Sequence, residues 1–424
     1  MKLRYFSTKI TILVLTLLLL PAVAGAKGVF KLKIGAEGKL CLECHEDFKK
    51  ILKKPYVHTP LAKGKCIGCH NPHTSSHDQL MATEPNNICY QCHNLMIPTD
   101  AVSSHQVVID RQCTACHDPH ASTNRMNLVR AGSELCYGCH QELGNKINDS
   151  KFQHSPVKKD CLKCHNPHAS QKHKALLVKG VPELCKTCHK TDRKTFKNLH
   201  MNYPVDQADC TSCHDTHGSN MAAMLYDNVH QPVAKKMCKQ CHATPDASEP
   251  LKLKQSGYKL CQGCHYDMIT DTLNLKRIHW PVVDKRGCLN CHTPHASASS
   301  GLLLKPQKIL CAECHADTVA RQERSSTKHP PVDEGNCSAC HAPHGSDNQF
   351  IMNQASIMDV CASCHDWQGH SSHPIGDQVI DPRNQNITLQ CLSCHRSHGT
   401  EHKHFLYYAT TNELCIQCHT GFRR

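Results

Sequence analysis

The chain has 424 residues, room for two or three domains of roughly 150 residues each, yet aromatics make up only 5% of it, with 2 Trp and 8 Phe. Against that stand 32 Cys and 36 His, which exclude a core built in the ordinary way on large apolar side chains. The formal charge is +13, from 49 Lys+Arg and 36 Asp+Glu, a balance that taken alone points to an acidic partner such as nucleic acid or a membrane surface.

The first predicted element is a leader. Lys2, Arg4 and Lys9 form a basic start, Ile10 to Leu20 is apolar apart from Thr11 and Thr16, and Ala24-Gly25-Ala26 offers a small-residue exit. This is the pattern of a secretory signal peptide over residues 1–26. The apolar run is short for an anchor helix, which needs about 20 residues. No later stretch is apolar enough to cross a membrane. The expected mature chain is exported, without a transmembrane segment, to the periplasm, the outer-membrane surface or the cell exterior.

From residue 41 onward every Cys belongs to a Cys-x-x-Cys-His unit. The first four are Cys41/Cys44/His45, Cys66/Cys69/His70, Cys89/Cys92/His93 and Cys113/Cys116/His117. Next come Cys136/Cys139/His140, Cys161/Cys164/His165, Cys185/Cys188/His189 and Cys210/Cys213/His214. Then follow Cys238/Cys241/His242, Cys261/Cys264/His265, Cys288/Cys291/His292 and Cys311/Cys314/His315. The last are Cys337/Cys340/His341, Cys361/Cys364/His365, Cys391/Cys394/His395 and Cys415/Cys418/His419.

An exported, Cys-rich chain first invites a disulfide scaffold. Neither disulfides nor zinc, which takes two Cys pairs per ion, gives a reason for a His after every pair. Covalent c-type haem does. Two thiols three positions apart lie on one helical turn and reach both vinyl groups of a porphyrin, and the next His falls under the iron. Sixteen covalent haems are expected.

The motifs recur every 23 to 30 residues, so the chain is an internal repeat. Openers follow Leu-rich leads such as Asn127-Leu128-Val129, Ala175-Leu176-Leu177, Gly301-Leu302-Leu303-Leu304 and Phe405-Leu406. Closers carry two extra histidines. One lies three places after the motif His: His73, His120, His168, His217, His295, His344 and His398. The other lies upstream: His58, His105, His154, His200, His279, His329 and either His370 or His373. Seven opener–closer pairs result.

The ninth motif breaks the alternation. Val229-His230-Gln231-Pro232 marks it as a closer, with His230 upstream, yet Ala243-Thr244-Pro245 supplies no third-place His. The stretch 243–255 reads as a linker, dividing the chain into a nine-haem module over 27–247 and a seven-haem module over 248–424. Either His402 or His404 completes sixteen distal ligands; with the alternatives open, His373 and His404 are carried in the count. His77 and His173 read as solvated or hydrogen-bonded side chains, and the 11 Met as packing residues.

The expected fold is short α-helices and coil wrapped around a chain of haems, with no significant β-sheet. The porphyrins are expected to form the core. A third-place His shares a turn with its own motif His, so it should reach a neighbouring haem. A haem with two His ligands has no open position, which favours electron relay over catalysis. The alternative is a reductase of nitrite, hydroxylamine or a sulfur oxyanion with one open haem, expected near His242 or His419.

These motifs resemble the multihaem cytochromes c with doubled Cys-x-x-Cys-His motifs, over essentially all of residues 38–424. The alternation looks like the decahaem periplasmic subunit of outer-membrane porin–cytochrome conduits. It is also similar to the small pentahaem donors of nitrite reductase. The resemblance implies bis-His ligation and electron transfer in anaerobic respiration or extracellular electron transfer. It implies other redox proteins as partners, among them an outer-membrane β-barrel or further multihaem cytochromes. The charge then reads differently. Loss of Lys2, Arg4 and Lys9 lowers +13 to +10. Two propionates per haem leave a net of −1 when ferric and −2 when ferrous, so sixteen haems bring the whole to −6 or −22. The basic residues offset the cofactors and are no sign of nucleic acid.

Overall fold

The computed structural model describes residues 36–366, 373–376 and 378–422. The leader over 1–26 and His370 lie outside the described residues. In all sixteen motifs the backbone N–H of the motif His donates to the carbonyl of the first Cys, at 2.8–3.1 Å. This bond to the fourth preceding residue closes one helical turn. Both thiols and the imidazole are thereby set on a single turn.

The flanks of the two motif kinds differ. Openers end short α-helices, as in Ser133–Tyr137, Lys259–Gln262, Gln307–Ala312 and Ile357–Ala362. Three of them run on into a longer helix with the motif His as N-cap: Gln141–Asp149, Tyr266–Leu273 and Ala316–Arg324. Glu142, Asp267 and Asp317 lie in those first turns, where a carboxylate meets the positive end of the helix dipole. Closers begin as 3-10 turns, for example Cys66–Gly68 and Cys210–Ser212. Asn71-Pro72, Asp118-Pro119 and Asn166-Pro167 follow the His, and a residue before Pro leaves the helical region.

The strands are β1 (Tyr56–Val57), β2 (Ser103–Ser104), β3 (Ala121–Ser122), β4 (Phe152–Gln153), β5 (Ala169–Ser170) and β6 (Gly218–Ser219). They continue as β7 (Asn228–Val229), β8 (Arg277–Ile278), β9 (Ala296–Ser297), β10 (Gly345–Ser346), β11 (Ile380–Asp381) and β12 (Asn384–Thr388). They form six two-stranded antiparallel sheets: β1–β3, β2–β5, β4–β6, β7–β9, β8–β10 and β11–β12. In the first five, the segment before an upstream His pairs with the segment after the third-place His of a later closer. Tyr56 faces Ser122 and Val57 faces Ala121, so His58 N–H donates to the His120 carbonyl at 2.8 Å. The inner faces are small and buried, as at Ala121, Ala169 and Ala296. The sheet content is thus slight, and the fold is helix, turn and coil.

Among the described residues twelve hydrophobic side chains are buried, too few to hold a chain of this length by apolar packing. One cluster joins Met352, Ile357 and Val360, against Cys340, Cys361, Cys391 and Leu392. Backbone contacts divide the described chain into two compact units. One holds the residues up to Met96 together with Gln106–Ala131; the other holds Ile97–His105 and the residues from Gly132 on.

Candidate haem-binding sites

Each site is built on a buttressed closer histidine. Nδ1 of His70 donates to the Gln79 carbonyl at 2.9 Å, His117 to Met126 at 2.8 Å, and His165 to Ala175 at 2.9 Å. His214 donates to Ala223 and His242 to Leu251, both at 2.8 Å, and His292 to Gly301 at 2.7 Å. His341 donates to Phe350 at 3.0 Å and His395 to His404 at 2.6 Å. Such a bond fixes the tautomer and leaves Nε2 as the free base to meet a metal.

The acceptor loops carry unusual backbone. Gln79, Met126, Ala175, Ala223, Phe350 and His404 all have φ between 54° and 59°, in the left-handed region that costs about 1–2 kcal/mol for a residue with a Cβ. The following residue's carbonyl accepts the N–H just after the motif His, as in Asn71 to Leu80 at 2.7 Å and Asp215 to Met224 at 2.7 Å. The Leu-rich leads assigned to the openers are therefore the tails of the closers. Met126→Gly should stabilise the fold by about 1 kcal/mol by relieving that strain, measured by denaturant unfolding against wild type. A loss of stability would contradict it.

Third-place histidines are aimed by the residue after the motif His. His120 N–H donates to Asp118 Oδ1 at 2.9 Å, His168 to Asn166 at 3.1 Å and His217 to Asp215 at 3.2 Å. These are Asx turns. Upstream histidines are buttressed as well. Nδ1 of His58 donates to the Pro119 carbonyl at 2.9 Å, His105 to Pro167 at 3.0 Å, and His154 to Thr216 at 3.0 Å. His230 donates to Pro294 and His279 to Pro343, both at 2.8 Å. Burial lowers the pKa of His120, His217, His295, His344 and His398, which keeps the rings neutral and able to ligate.

Among the described residues thirteen motif histidines are seen to face a second imidazole with ring centres 6.0–6.4 Å apart. Ten pairs are near-parallel, within 14–26°: His58–His93, His70–His120, His105–His140, His154–His189, His165–His217, His230–His265, His242–His295, His279–His315, His329–His365 and His341–His398. His292–His344 is tilted by 41°, His200–His214 by 64° and His373–His419 by 87°. A metal–imidazole bond is about 2 Å, so two such bonds and the reach to each ring centre fill about 6 Å. The gap suits one iron between two imidazoles. The ring pairs and the two thiols on each motif's turn fit a macrocycle that carries an iron.

The thiols of successive motifs approach one another. Cys261 and Cys288 hydrogen-bond, which raises Cys261 and lowers Cys288 to about 6; Cys311 does the same to Cys337, lowered to about 7. Burial raises Cys89 to about 11, with Cys113 adding to it, and Cys185 to about 11, with Cys210 adding. Gly287 (φ +56°) makes the approach in one case: a Cβ there would lie 2.7 Å from the Tyr258 nitrogen.

The thiols differ in how far the chain itself covers them. Cys44, Cys92, Cys139 and Cys188 are exposed, as are Cys264, Cys314 and Cys364. These are the second thiols of seven openers; in the last opener the first thiol, Cys415, is the exposed one. Cys116 and Cys418 are half-buried. The difference follows from the chain after each motif. A closer's tail folds back over its second Cys, as where Val129 N–H donates to the Cys116 carbonyl at 2.9 Å and Ala82 N–H to that of Cys69 at 2.8 Å. An opener such as Cys136/Cys139/His140 instead runs straight on into its next helix, which leaves Cys139 on the outside. Exposure does not separate these thiols from their neighbours. Burial raises Cys69, Cys164 and Cys394, and the nearby Cys92, Cys188 and Cys418 add to the rise.

The remaining histidines fall elsewhere. His45 meets the Phe48 ring at 6.2 Å and no imidazole among the described residues, and His73 is exposed. His77 lies 3.6 Å from Glu84, and the His173 carbonyl accepts from Ser103 Oγ at 2.7 Å. His402 caps the turn Lys403–Phe405, while His404 supplies its carbonyl to His395. His242 and His419, where an open site was expected, both face an imidazole. The 247/248 boundary expected from sequence is crossed by the β7–β9 ladder and the His242–His295 pair.

A family model described as the doubled CXXCH motif matches eight segments: 58–96, 105–145, 154–194, 202–229, 230–270, 279–320, 329–370 and 385–424. They cover well over half of the chain. The chain belongs to the doubled-CXXCH family of multihaem c-type cytochromes. It is also 30% identical over 185 residues to "Multiheme cytochrome MtrA" of Shewanella baltica (strain OS185), covering 42% of this chain and 54% of that protein. It thus spans about half the length of that relative.

As a member of the doubled-CXXCH family, the chain carries covalent haem c. The family unit runs from closer to opener, the reverse of the phase read from sequence. Within each complete unit the upstream His faces the motif His of its own opener, as His58 faces His93 and His230 faces His265. The third-place His faces the preceding closer, as His120 faces His70. The segment 202–229 holds a single motif, Cys210-x-x-Cys213-His214. None of the described helices is long and apolar enough to cross a membrane.

Proposed function

We propose that the chain relays electrons through sixteen covalent c-type haems, most of them ligated by two histidines, in anaerobic respiration or extracellular electron transfer. The observation that carries this reading is the set of thirteen imidazole pairs spaced for one iron each. When bound, each haem supplies a one-electron redox centre. The paired imidazoles would hold each such iron from both sides, and neighbouring attachment cysteines lie close together. Consecutive motifs approach in chain order, as in Cys241–Cys264, Cys291–Cys314 and Cys340–Cys364, which supports a path following the sequence. Export by the leader, a periplasmic or outer-membrane-associated location and a β-barrel or cytochrome partner belong to the same reading.

One observation favours a second reading. His45 faces no imidazole among the described residues, so the first motif is the place for an open haem and for small-ligand or reductase chemistry. Carbon monoxide titration of the fully reduced protein separates the two. The relay reading expects no binding. One equivalent per chain, retained in a His419→Met variant and lost in a Cys41→Ala/Cys44→Ala variant, would establish an open first haem.

A further inference from the structure

The segment 202–229 departs from the family unit in two ways that compensate each other. Its motif, ending in His214, has no opener behind it, so its upstream His200 has no opener haem to serve. The next closer has Pro245 where its third-place His would stand, so the ring that would ordinarily face His214 is missing. His200 occupies that place. Its ring centre lies 6.3 Å from that of His214, and its Nδ1 donates to the Phe196 carbonyl at 2.9 Å, within its own helix Lys194–Leu199. The Phe196 ring packs on it at 4.3 Å. Nearby, buried Tyr203 donates to the Ala243 carbonyl at 2.7 Å, beside the vacated third place.

We propose that His200 is the distal ligand of the haem on its own motif, Cys210/Cys213/His214, in place of the third-place His that the next closer lacks. The proposal rests on the haem reading above. His120, His217, His295, His344 and His398 each face the motif His of the preceding closer, whereas at His214 Pro245 leaves that place to His200.

The site is also chemically distinct. In pairs such as His58–His93 and His70–His120 one ring of the two makes an Nδ1 bond to a carbonyl. Here both do, His200 to Phe196 and His214 to Ala223. Two buttressed imidazoles are more basic ligands and favour ferric iron, so this haem sits at the low-potential end of the set. The 64° ring angle sets its ferric electron paramagnetic resonance apart from the ten near-parallel pairs.

The test uses the full-length haem-loaded protein. Intact mass first establishes sixteen haems; failure there overturns the haem reading and not this assignment. His200→Ala should keep all sixteen, convert one-sixteenth of the ferric haem to high spin, and diminish the crossed-plane low-spin signal. His58→Ala should also open one haem but leave that signal intact. Should His200→Ala not accumulate, His200→Met supplies a ligand in its place. It should give one His/Met haem at raised potential, again at the expense of the crossed-plane signal. Adding Pro245→His to His200→Ala should return the haem to low spin. An unchanged spin state in His200→Ala, or loss of near-parallel signal instead, overturns the proposal.

Discussion

Produced without haem, the chain is expected to be unfolded from end to end, with a coil-like far-UV circular dichroism spectrum and cleavage by protease throughout. The reason is quantitative. Ordering a residue costs about 1–2 kcal/mol of backbone entropy, and 424 residues over sixteen motifs leave about 26 residues to be ordered per motif. Against this, twelve buried hydrophobic side chains are spread over the whole described chain, three of them small alanines in the two-residue ladders. At roughly 1.5–3 kcal/mol for each large side chain they cannot offset that cost. What closes the balance is the porphyrin face buried by each segment and the two iron–imidazole bonds that join segments far apart in sequence, as His70 with His120. A haem-free chain with native-like dichroism and protease resistance would mean that side-chain packing holds the fold, contrary to this account.

The second large effect is expected at Arg383. The hairpin β11–β12 braces the fifteenth motif through one ion pair. Arg383 donates from Nε and Nη2 to Asp381 at 2.9 and 2.6 Å, and from Nη2 to the Ser393 carbonyl at 3.0 Å. Ser393 lies between Cys391 and Cys394 and forms a capping box with Gln390. Asp381 is fully buried. Arg383→Met leaves its carboxylate buried and unpaired, a loss of about 3–5 kcal/mol, to be read by denaturant unfolding at neutral pH. The Arg383 hydrogen bond, before the backbone bond and the charge, holds Asp381 at about 2, below the ordinary carboxylate value. A depressed carboxyl stabilises the fold above its unfolded pKa of about 4 and loses that contribution as pH falls toward 2. Wild type should therefore weaken across that window. In Arg383→Met burial raises the same carboxyl, so the gap between the two proteins should narrow on acidification. A gap independent of pH would show that the pair contributes nothing through charge.

The attachment chemistry was legible in the sequence because it is local. Cys-x-x-Cys-His places three side chains on one turn whatever the rest of the chain does, and the sixteen His-to-Cys backbone bonds follow from that spacing. The two extra histidines of each closer were legible for the same reason. What each reaches was not, because His58 finds its partner at His93 and His70 at His120, separations no local pattern encodes. The exposure of Cys44, Cys92, Cys139 and Cys188 was hidden too, since it depends on where the following chain goes and not on the motif. The phase of the unit was misread since Leu128, Leu177 and Leu406 precede the openers in sequence while serving the closers in space. The buttresses were invisible. Gln79, Ala175 and Phe350 act through a backbone carbonyl, so their side chains carry no common signal. The ladders escaped notice since two residues per strand are too few for alternation to show. The hairpin strand Asn384–Thr388 is polar and exposed over most of its length, with no apolar face to announce it.

The central claim is that every one of the sixteen Cys pairs holds a haem around which its segment folds. Intact mass of the purified protein, combined with a pyridine haemochrome assay per chain, tests it most directly. The expected result is sixteen covalently bound haems on a chain that has lost residues 1–26. A mass that accounts for clearly fewer, with free thiols or disulfides at the remaining Cys pairs, would contradict it.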